Sequence, residues 1–376
     1  MKARYHVEIA TGQAEVETHL AAWWDLHACR LEDNVYAAPA FLSPVYRQLH
    51  GDVDCRVAFV YRHAAGQQEM VASAPFGATA EVASGVMLGE LDSGIISTAS
   101  PMLHRDFAAQ ATSSLCQWFG RSDHPWSIVC WPSMPLRSLA WKHLARALGG
   151  QAWRWRLQDR FESAALDRRT SFDAFLQDLP RVHRDACHTA LRQLQSAGEV
   201  EVKLHRSLRD YDLIRRFMVL EHARGERRAA GTEGFGDAAL FASVTEAMGA
   251  CNELFFVEIL ARGMPISISA SYVDGTTVFG FKTVSDPSAQ STDPELVNLL
   301  EATRLLHQDP ILRCGQSISN EGSWATRLWT DAHPFATVLA ATRGSAVEAT
   351  LPPRSVVHAA TGLTGEVRLL LSRGAA

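Results

Sequence analysis

Three apolar, β-rich runs joined by two tight turns lie between residues 253 and 286. The runs read ELFFVEIL, ISISASYV and TTVFGFKTV, and the third contains Lys282, one of four lysines in the chain. Asp274-Gly275 separates the second run from the third, and both residues tolerate the positive φ that a two-residue hairpin turn requires. The pattern predicts a meander of three antiparallel strands.

A helix is predicted directly after the meander, because Asp293 suits the N-cap and Pro294 suits the first helical position. Ser171 is a second N-cap candidate, for a helix that begins at Phe172. The spacing of apolar residues predicts further elements. The predicted helices cover residues 15–31, 39–50, 107–120, 136–148, 181–197, 208–223 and 237–249, and the predicted strands cover residues 55–62, 69–76, 126–134 and 200–205.

The meander has a counterpart near the start of the chain. CRVAFVYRHAAGQQEMVASAPF, from residue 55, and NELFFVEILARGMPISISASYV, from residue 252, share the order strand, polar turn and strand. We interpret the pair as two copies of one domain plan, which suits a chain of 376 residues. A polar junction near residues 160–170 places the predicted domains at 1–165 and 166–345, and the tail 346–376 contains two β-like runs that predict an extra hairpin or a docking appendage.

The charge and the cysteines narrow the class of protein. A net charge of −5 and a pI near 6.3 give no overall basic field, so nucleic acid is disfavoured as a partner. No run approaches the ~18–20 apolar residues of a membrane span, and charges near the N-terminus exclude a signal peptide there, so we expect a cytoplasmic protein. The seven scattered cysteines never form C-x-x-C and are expected to be reduced thiols.

Catalytic motifs of several enzyme classes are missing from the sequence. It contains no G-x-S-x-G, no Walker loop and no H-E-x-x-H, which excludes the common hydrolase, NTPase and zincin patterns. His183, Cys187 and His188 have a helical spacing that metal ligands use, but a buried thiol flanked by a polar helix face explains them more simply. We therefore expect no metal site.

Three phrases of the second half, in order, are more informative. They read SFDAFLQDLPRVHRDACHTALRQLQSAGEVEV, FMVLEHARGERRAAGT and FGFKTVSDPSAQSTDPELVNLLEATRLL. Together they resemble the catalytic region of the CelD-like (BcsL-like) acetyltransferases of the GNAT superfamily, which are associated with cellulose and other exopolysaccharides. EDNVYAAPAFLSPVYRQL is similar to the N-terminal phrase of that family.

The resemblance implies an α/β (α+β) fold of two tandem GNAT-like domains, each a mixed, largely antiparallel sheet flanked by helices, as in the related Fem-type aminoacyltransferases. It implies Glu221 as general base, with His222 beside it, and Lys282 as a group that stabilises an oxyanion or binds an acidic acceptor. The alternatives are a solvated carboxylate at a helix end and a lysine at a strand edge.

A donor-phosphate loop is implied before the helix at Pro294, with Gln290, Ser291 and Thr292 as binding residues. The family commonly has Ser-Pro-Gly where this chain has Asp293-Pro294-Glu295, and these two carboxylates satisfy the free N–H groups and repel a phosphate.

Two other positions also depart from the family. Gly225-Glu226 replaces a frequent Trp-Lys. Near the end of the matched region, Glu321 and Arg327 are the remaining candidates for substrate binding.

The sequence thus predicts an N- or O-acyltransferase that uses acetyl-CoA or another acyl-CoA as co-substrate, without a metal. The resemblance implies a small-molecule or lipid-linked sugar acceptor in bacterial surface polysaccharide biosynthesis, and a homodimer or polysaccharide-assembly proteins as partners. One alternative is a GNAT-fold binding or regulatory module that has lost catalysis. Another is Fem-like transfer from aminoacyl-tRNA, which the lack of a basic stripe disfavours.

Overall fold

The computed structural model of the chain divides into two compact units. Unit 1 contains residues up to Phe161 together with the segment that begins at His333, and unit 2 contains Glu162–Ala332. The structure describes residues 3–48, 54–78, 85–88, 98–121, 124, 128–151, 153–196, 198–208, 212–225, 238–317 and 324–341. The predicted tail hairpin at 346–376 lies outside the described residues.

The described residues form strands and helices in alternation. The strands are β1 (Arg4–Thr11), β2 (Asp54–Ala64), β3 (Gln67–Ala78), β4 (Gly85–Leu88), β5 (Met102–Leu103), β6 (Ile128–Pro135), β7 (Arg154–Asp167), β8 (Val200–His205), β9 (Phe256–Ala261), β10 (Met264–Asp274), β11 (Thr277–Ser285), β12 (Cys314–Gln316) and β13 (Asp331–Ala341). The helices are α1 (Gly12–Thr18), α2 (Leu20–Ala28), α3 (Pro39–Gln48), α4 (Ala108–Phe119), α5 (Leu139–Gly150), α6 (Phe172–Asp178), α7 (Arg181–Ser196), α8 (Asp212–Gly225), α9 (Ala238–Ala250) and α10 (Pro294–Gln308). None of the described helices is long and apolar enough to cross a membrane.

Each unit has a mixed, largely antiparallel sheet, and the two sheets share one plan. The strand order in unit 1 is β1-β2-β3-β4-β6-β13, with β5 also paired to β3, and the order in unit 2 is β8-β9-β10-β11-β12-β7. In both units a helix follows the meander and leads to a strand that pairs in parallel with the meander. In unit 1, α4 leads to β6, which is parallel to β4, and in unit 2, α10 leads to β12, which is parallel to β11. The predicted fold class and the predicted duplication are confirmed.

Several local predictions differ from the structure. The helix predicted over residues 15–31 is two helices that meet at His19, and the strand β1 before them was not predicted. The polar junction predicted near residues 160–170 is the end of a long strand, β7, in which Ser163–Leu166 are buried beside β12. Charged residues at the exposed positions of β7 conceal its strand character. The predicted domain limit of 165/166 therefore lies inside strand β7, and the predicted limit of 345/346 lies outside the described residues.

Helices cover both faces of the sheet of unit 2, and strand β9 shows how. Val257 and Ile259 pack on one face with buried residues of α6, α7 and α10. Phe256 faces the other way, where its ring lies 6.3 Å from that of Phe241 in α9, which stacks on Phe217 in α8. This alternation is the ordinary period of a strand with two buried faces.

Helix α10 is anchored at its C-terminal end. The Arg168 guanidinium donates to the carbonyl oxygens of His307, Asp309 and Leu312, at 2.8, 2.6 and 2.9 Å, so a positive charge meets the negative end of the helix. The His307 ring hydrogen-bonds the Thr303 carbonyl through Nδ1 at 2.8 Å and accepts from the Arg169 backbone N–H through Nε2 at 3.3 Å. The second bond requires the neutral imidazole.

We expect His307 to make the protein less stable in mild acid. Burial lowers the pKa of the His307 imidazole, and the charges of Arg168 and Arg169 lower it further. A depressed histidine pKa means that the unfolded chain binds the proton more readily, so stability falls as pH drops below the unfolded value of about 6.5. His307→Gln should cost about 1 kcal/mol at pH 7.5, because one hydrogen bond is lost.

The measurement is urea unfolding of the wild type and His307→Gln between pH 7.5 and 5.5. The difference in unfolding free energy between the two proteins should shrink toward pH 5.5. Only in the wild type does the unfolded chain take up a proton at position 307, so only the wild type loses stability there. A constant difference across this pH range would contradict the assignment of a neutral His307.

Candidate active site at the end of strand β11

A bulge in strand β11 places two successive side chains on the same face of the sheet. Ala270 pairs with Lys282 and Ser271 with Gly280, so Phe281 is an extra residue on β11. In a regular strand, neighbouring side chains point to opposite faces. Here the Phe281 ring lies 6.2 Å from that of Phe241 in α9, and Lys282 reaches α8 on the same side.

Lys282 and Glu221 form an ion pair across this face. The Lys282 Nζ donates to Oε1 of Glu221, and the two side chains are 24% and 12% exposed. The other carboxylate oxygen, Glu221 Oε2, is buried and accepts no hydrogen bond from any described residue. A buried carboxylate oxygen without a donor is costly, and it marks a place where a ligand hydroxyl or amine can bind.

The alternatives considered for these residues were a solvated carboxylate at a helix end for Glu221 and a lysine at a strand edge for Lys282. Neither alternative describes this geometry. Glu221 lies inside α8, after the buried Leu220, and is mostly removed from water. Lys282 lies on an inner strand, since β11 has β10 on one side and β12 on the other. The structure thus brings two of the three predicted catalytic residues together and leaves the third, His222, with an exposed side chain.

Lys282 lies near the end of β11 that leads to the predicted donor loop. In the described residues, the parallel pairs between β11 and β12 end at Phe279 and Gln316. Strand β11 continues through Lys282 to Ser285, so the ion pair and the loop share one end of the strand.

The predicted donor loop is a short 3-10 helix, Pro287–Thr292. Gln290 and Ser291 are exposed, whereas the Thr292 hydroxyl donates to the Ala289 carbonyl at 2.7 Å. Gln290 and Ser291 therefore present polar side chains at the surface, and Thr292 is engaged within the loop.

The first turn of α10 is occupied by the chain's own carboxylates. Asp293 adopts a left-handed backbone with φ of 46° and accepts from the Leu296 N–H at 3.3 Å, as an N-cap does. Arg327 donates to both Asp293 oxygens, and this contact raises the pKa of the Arg327 guanidinium. Glu295 accepts from the Ser285 hydroxyl at 2.9 Å. As folded, this turn does not fit a diphosphate, because negative charge already fills it.

Arg327, predicted to bind substrate, contacts Asp293, the residue that caps α10. Glu321, the other predicted substrate-binding residue, lies outside the described residues, as does Glu226. His183 and Cys187 were considered above as metal ligands, and in the structure both lie among packing and hydrogen-bonding contacts within the protein. The His183 ring hydrogen-bonds the Arg327 carbonyl, and burial raises the pKa of the Cys187 thiol to about 11.

Sequence reasoning missed one group of polar residues in unit 2. Glu258 on β9 is fully buried and contacts Arg216 of α8 and His205 of β8. The available signal was Glu258 itself, the second of two carboxylates in the apolar run ELFFVEIL, because it is flanked on both sides by apolar residues at a position that a strand with two buried faces does not expose.

Comparison with known proteins assigns this architecture. Residues 181–314, about a third of the chain, match the family model described as an acetyltransferase (GNAT) domain. Unit 2 therefore has a GNAT-like fold. The matched segment contains Glu221, Lys282 and the loop before α10. A separate comparison with curated proteins gave no match.

Solved structures resemble the chain over nearly its whole length. FemX has a TM-score of 0.57 at 10% identity, with 90% of this chain and 97% of FemX covered. The C-terminal domain of a protein assigned as a lysylphosphatidylglycerol synthetase from Agrobacterium fabrum has a TM-score of 0.56 at 10% identity, with 89% and 94% covered. L-PGS from Bacillus licheniformis has a TM-score of 0.52 at 9% identity, with 95% and 96% covered. At such low identities these similarities concern the fold alone.

We expect Glu221 and Lys282 to be energetically coupled, because both are largely removed from water. Unfolding free energies of Glu221→Gln, Lys282→Met and the double variant should give a coupling of about 1–3 kcal/mol. The matched control is Arg181 with Asp185, an ion pair in α7 whose side chains are 87% and 62% exposed and which should show no measurable coupling. Equal coupling in the two pairs would contradict a buried interaction at Lys282.

Proposed function

We propose that the chain is an acyltransferase in which Glu221 is the general base, with acetyl-CoA or another acyl-CoA as the donor. The observation that carries this proposal is the buried Glu221 Oε2, which lacks a donor among the described residues and belongs to a carboxylate paired with Lys282. An acceptor hydroxyl or amine would donate to this oxygen and satisfy it. The match of residues 181–314 to an acetyltransferase domain supports the same reaction class.

The two side chains would divide the work of acyl transfer. Glu221 removes the proton from the acceptor oxygen or nitrogen as that atom attacks the acyl carbonyl carbon. Lys282 stabilises the negative charge that develops on the carbonyl oxygen. The proton taken up by Glu221 then passes to the atom of the donor that leaves, so that the acylated acceptor and the deacylated donor are released.

The acceptor is proposed to be a sugar-containing precursor of a bacterial surface polysaccharide, either a small molecule or a lipid-linked one. This part rests on the resemblance of the three sequence phrases to the CelD-like acetyltransferases. The proposal assigns no donor phosphate to the first turn of α10, because Asp293 and Glu295 occupy it. Gln290 and Ser291 are exposed polar residues of that loop.

The contact between Asp293 and Arg327 favours a second candidate. A chain whose helix terminus is filled by its own carboxylate suits a GNAT-fold binding module in polysaccharide assembly, or a transferase with another donor, such as the Fem-like use of aminoacyl-tRNA. These candidates differ from the first in one measurable property, the affinity for acyl-CoA.

Substitution of Glu221 tests the general base. Glu221→Gln should lower kcat about 100-fold, because the amide cannot accept the proton. Turnover is followed as free thiol released from acetyl-CoA in the presence of a panel of amino sugars and sugar nucleotides. Glu246→Gln, an exposed position on α9, is the matched control and should keep wild-type turnover. Wild-type turnover in Glu221→Gln, with an unchanged melting temperature, would rule out this role.

Substitution of Asp293 tests the donor. Asp293→Gly should raise the affinity for acetyl-CoA about tenfold, equivalent to about 1.4 kcal/mol, because it removes a carboxylate from the helix terminus and frees Arg327. Glycine also adopts the left-handed φ without strain. Asp293→Asn keeps a capping side chain without the charge and should lie between the two.

Isothermal titration of the three proteins with acetyl-CoA gives the answer. Equal affinities would mean that the donor does not approach α10. Absence of binding in all three proteins would count against the acyl-CoA donor and favour the second candidate.

A further inference from the structure

A cluster of three polar side chains lies inside unit 2, away from the pair of Glu221 and Lys282. Glu258 is 0% exposed, and Arg216 binds both of its oxygens, with Nε donating to Oε1 at 2.6 Å and Nη2 to Oε2 at 3.0 Å. The His205 Nε2 lies 3.0 Å from Glu258 Oε2. Burial alone would raise the pKa of the Glu258 carboxyl, but the hydrogen bonds from His205 and Arg216 outweigh it, and the pKa is lowered.

Helix α8 contributes one residue to this cluster and one residue to the candidate active site. Arg216 and Glu221 both belong to α8, and five residues along a helix correspond to a rise of about 7.5 Å. Arg216 contacts β9 and Glu221 contacts β11, two strands that are about 10 Å apart because β10 lies between them. Helix α8 thus makes two polar contacts with the sheet, at two separate points.

The remaining contacts of α8 do not define its position as narrowly. Its buried side chains include Leu213, Phe217 and Leu220, and apolar burial is not directional. The planar Arg216 fork, by contrast, meets the carboxylate in one orientation. Burying such a pair adds little net stability, but it penalises any arrangement in which the carboxylate loses its partner. A shift of α8 by one residue would move Glu221 by about 1.5 Å.

We propose that Arg216 and Glu258 are positioning residues, which hold α8 at the one position on the sheet where Glu221 meets Lys282. The proposal rests on the proposed function for its effect on turnover, but its structural part concerns the contact with Lys282 and can be tested without a substrate. His205 supports the same carboxylate from β8.

The matched variants are Arg216→Lys and Arg215→Lys. Both are conservative changes at neighbouring positions of α8, but Arg215 is 73% exposed and pairs only with nearby Asp212 in the described contacts, whereas Arg216 forms the buried fork. Glu258→Gln is the complementary change on β9. Melting temperatures of all variants show which of them remain folded, and Arg216→Lys, which keeps the positive charge, decides the matter if Glu258→Gln does not fold.

The first measurement is the rate at which Lys282 reacts with an amine-acylating reagent, followed by mass spectrometry. Lys142 of unit 1, which is exposed, is the internal standard. We expect the Lys282 rate to rise several-fold in Arg216→Lys and Glu258→Gln and to stay at the wild-type value in Arg215→Lys. An unchanged rate in folded Arg216→Lys would overturn the proposal, whatever its melting temperature.

The second measurement is turnover, where an activity is found. Misplacement of a catalytic group by about 1 Å can cost about 100-fold, so kcat of Arg216→Lys should fall by about that factor with KM little changed. Equal kcat values for Arg216→Lys and Arg215→Lys would overturn the proposal. If no donor gives turnover with the wild type, the proposed function fails, and the Lys282 rates still decide the positioning role.

Discussion

A carboxylate that is wholly removed from water, that of Glu258, constrains how helix α8 lies on the sheet of unit 2. An ionised buried group must have partners, and Glu258 finds them in Arg216 and His205. The apolar contacts of α8 supply most of the favourable free energy of packing, whereas the ion pair selects among nearly equivalent packings. The direction of the Glu221 side chain therefore depends on the contact between Arg216 and Glu258. Glu221 takes no part in that contact and is linked to it only through helix α8.

The other half of the candidate site depends on a local irregularity. A regular β11 would point Phe281 and Lys282 to opposite faces, and one of the two contacts with α8 and α9 would be lost. The bulge opposite Ala270 and Ser271 keeps both contacts on one face. The site thus combines a bulge that redirects a side chain with a buried ion pair that fixes the opposing helix, and neither device is itself part of the chemistry.

The sequence predicted best what local rules govern. The meander and the N-caps at Ser171 and Asp293 are confirmed, because such signals act over a few residues. The turn after the second strand lies one residue later than predicted, since Asp274 pairs with Thr277 and leaves Gly275 and Thr276 as the two loop residues. The long-range contacts were not predictable in this way. Lys282 and Glu221 are 61 residues apart, and the partners of Glu258 lie 42 and 53 residues away. Strand β7 was missed because its exposed positions carry charges that mimic a linker.

The two units show that the fold and the polar site are separable. Their sheets share one strand order with one parallel pair each, so both satisfy the same packing requirements. Yet among the described residues of unit 1, no carboxylate is fully buried, and its buried polar groups are histidines, hydroxyls and an amide. Unit 2 retains Glu258 in its core despite the cost of burying a charge. Unit 1 forms the same strand order without a fully buried carboxylate among its described residues, so the fold does not require one. The buried charge of Glu258 is therefore better explained by the candidate site of unit 2 than by the fold.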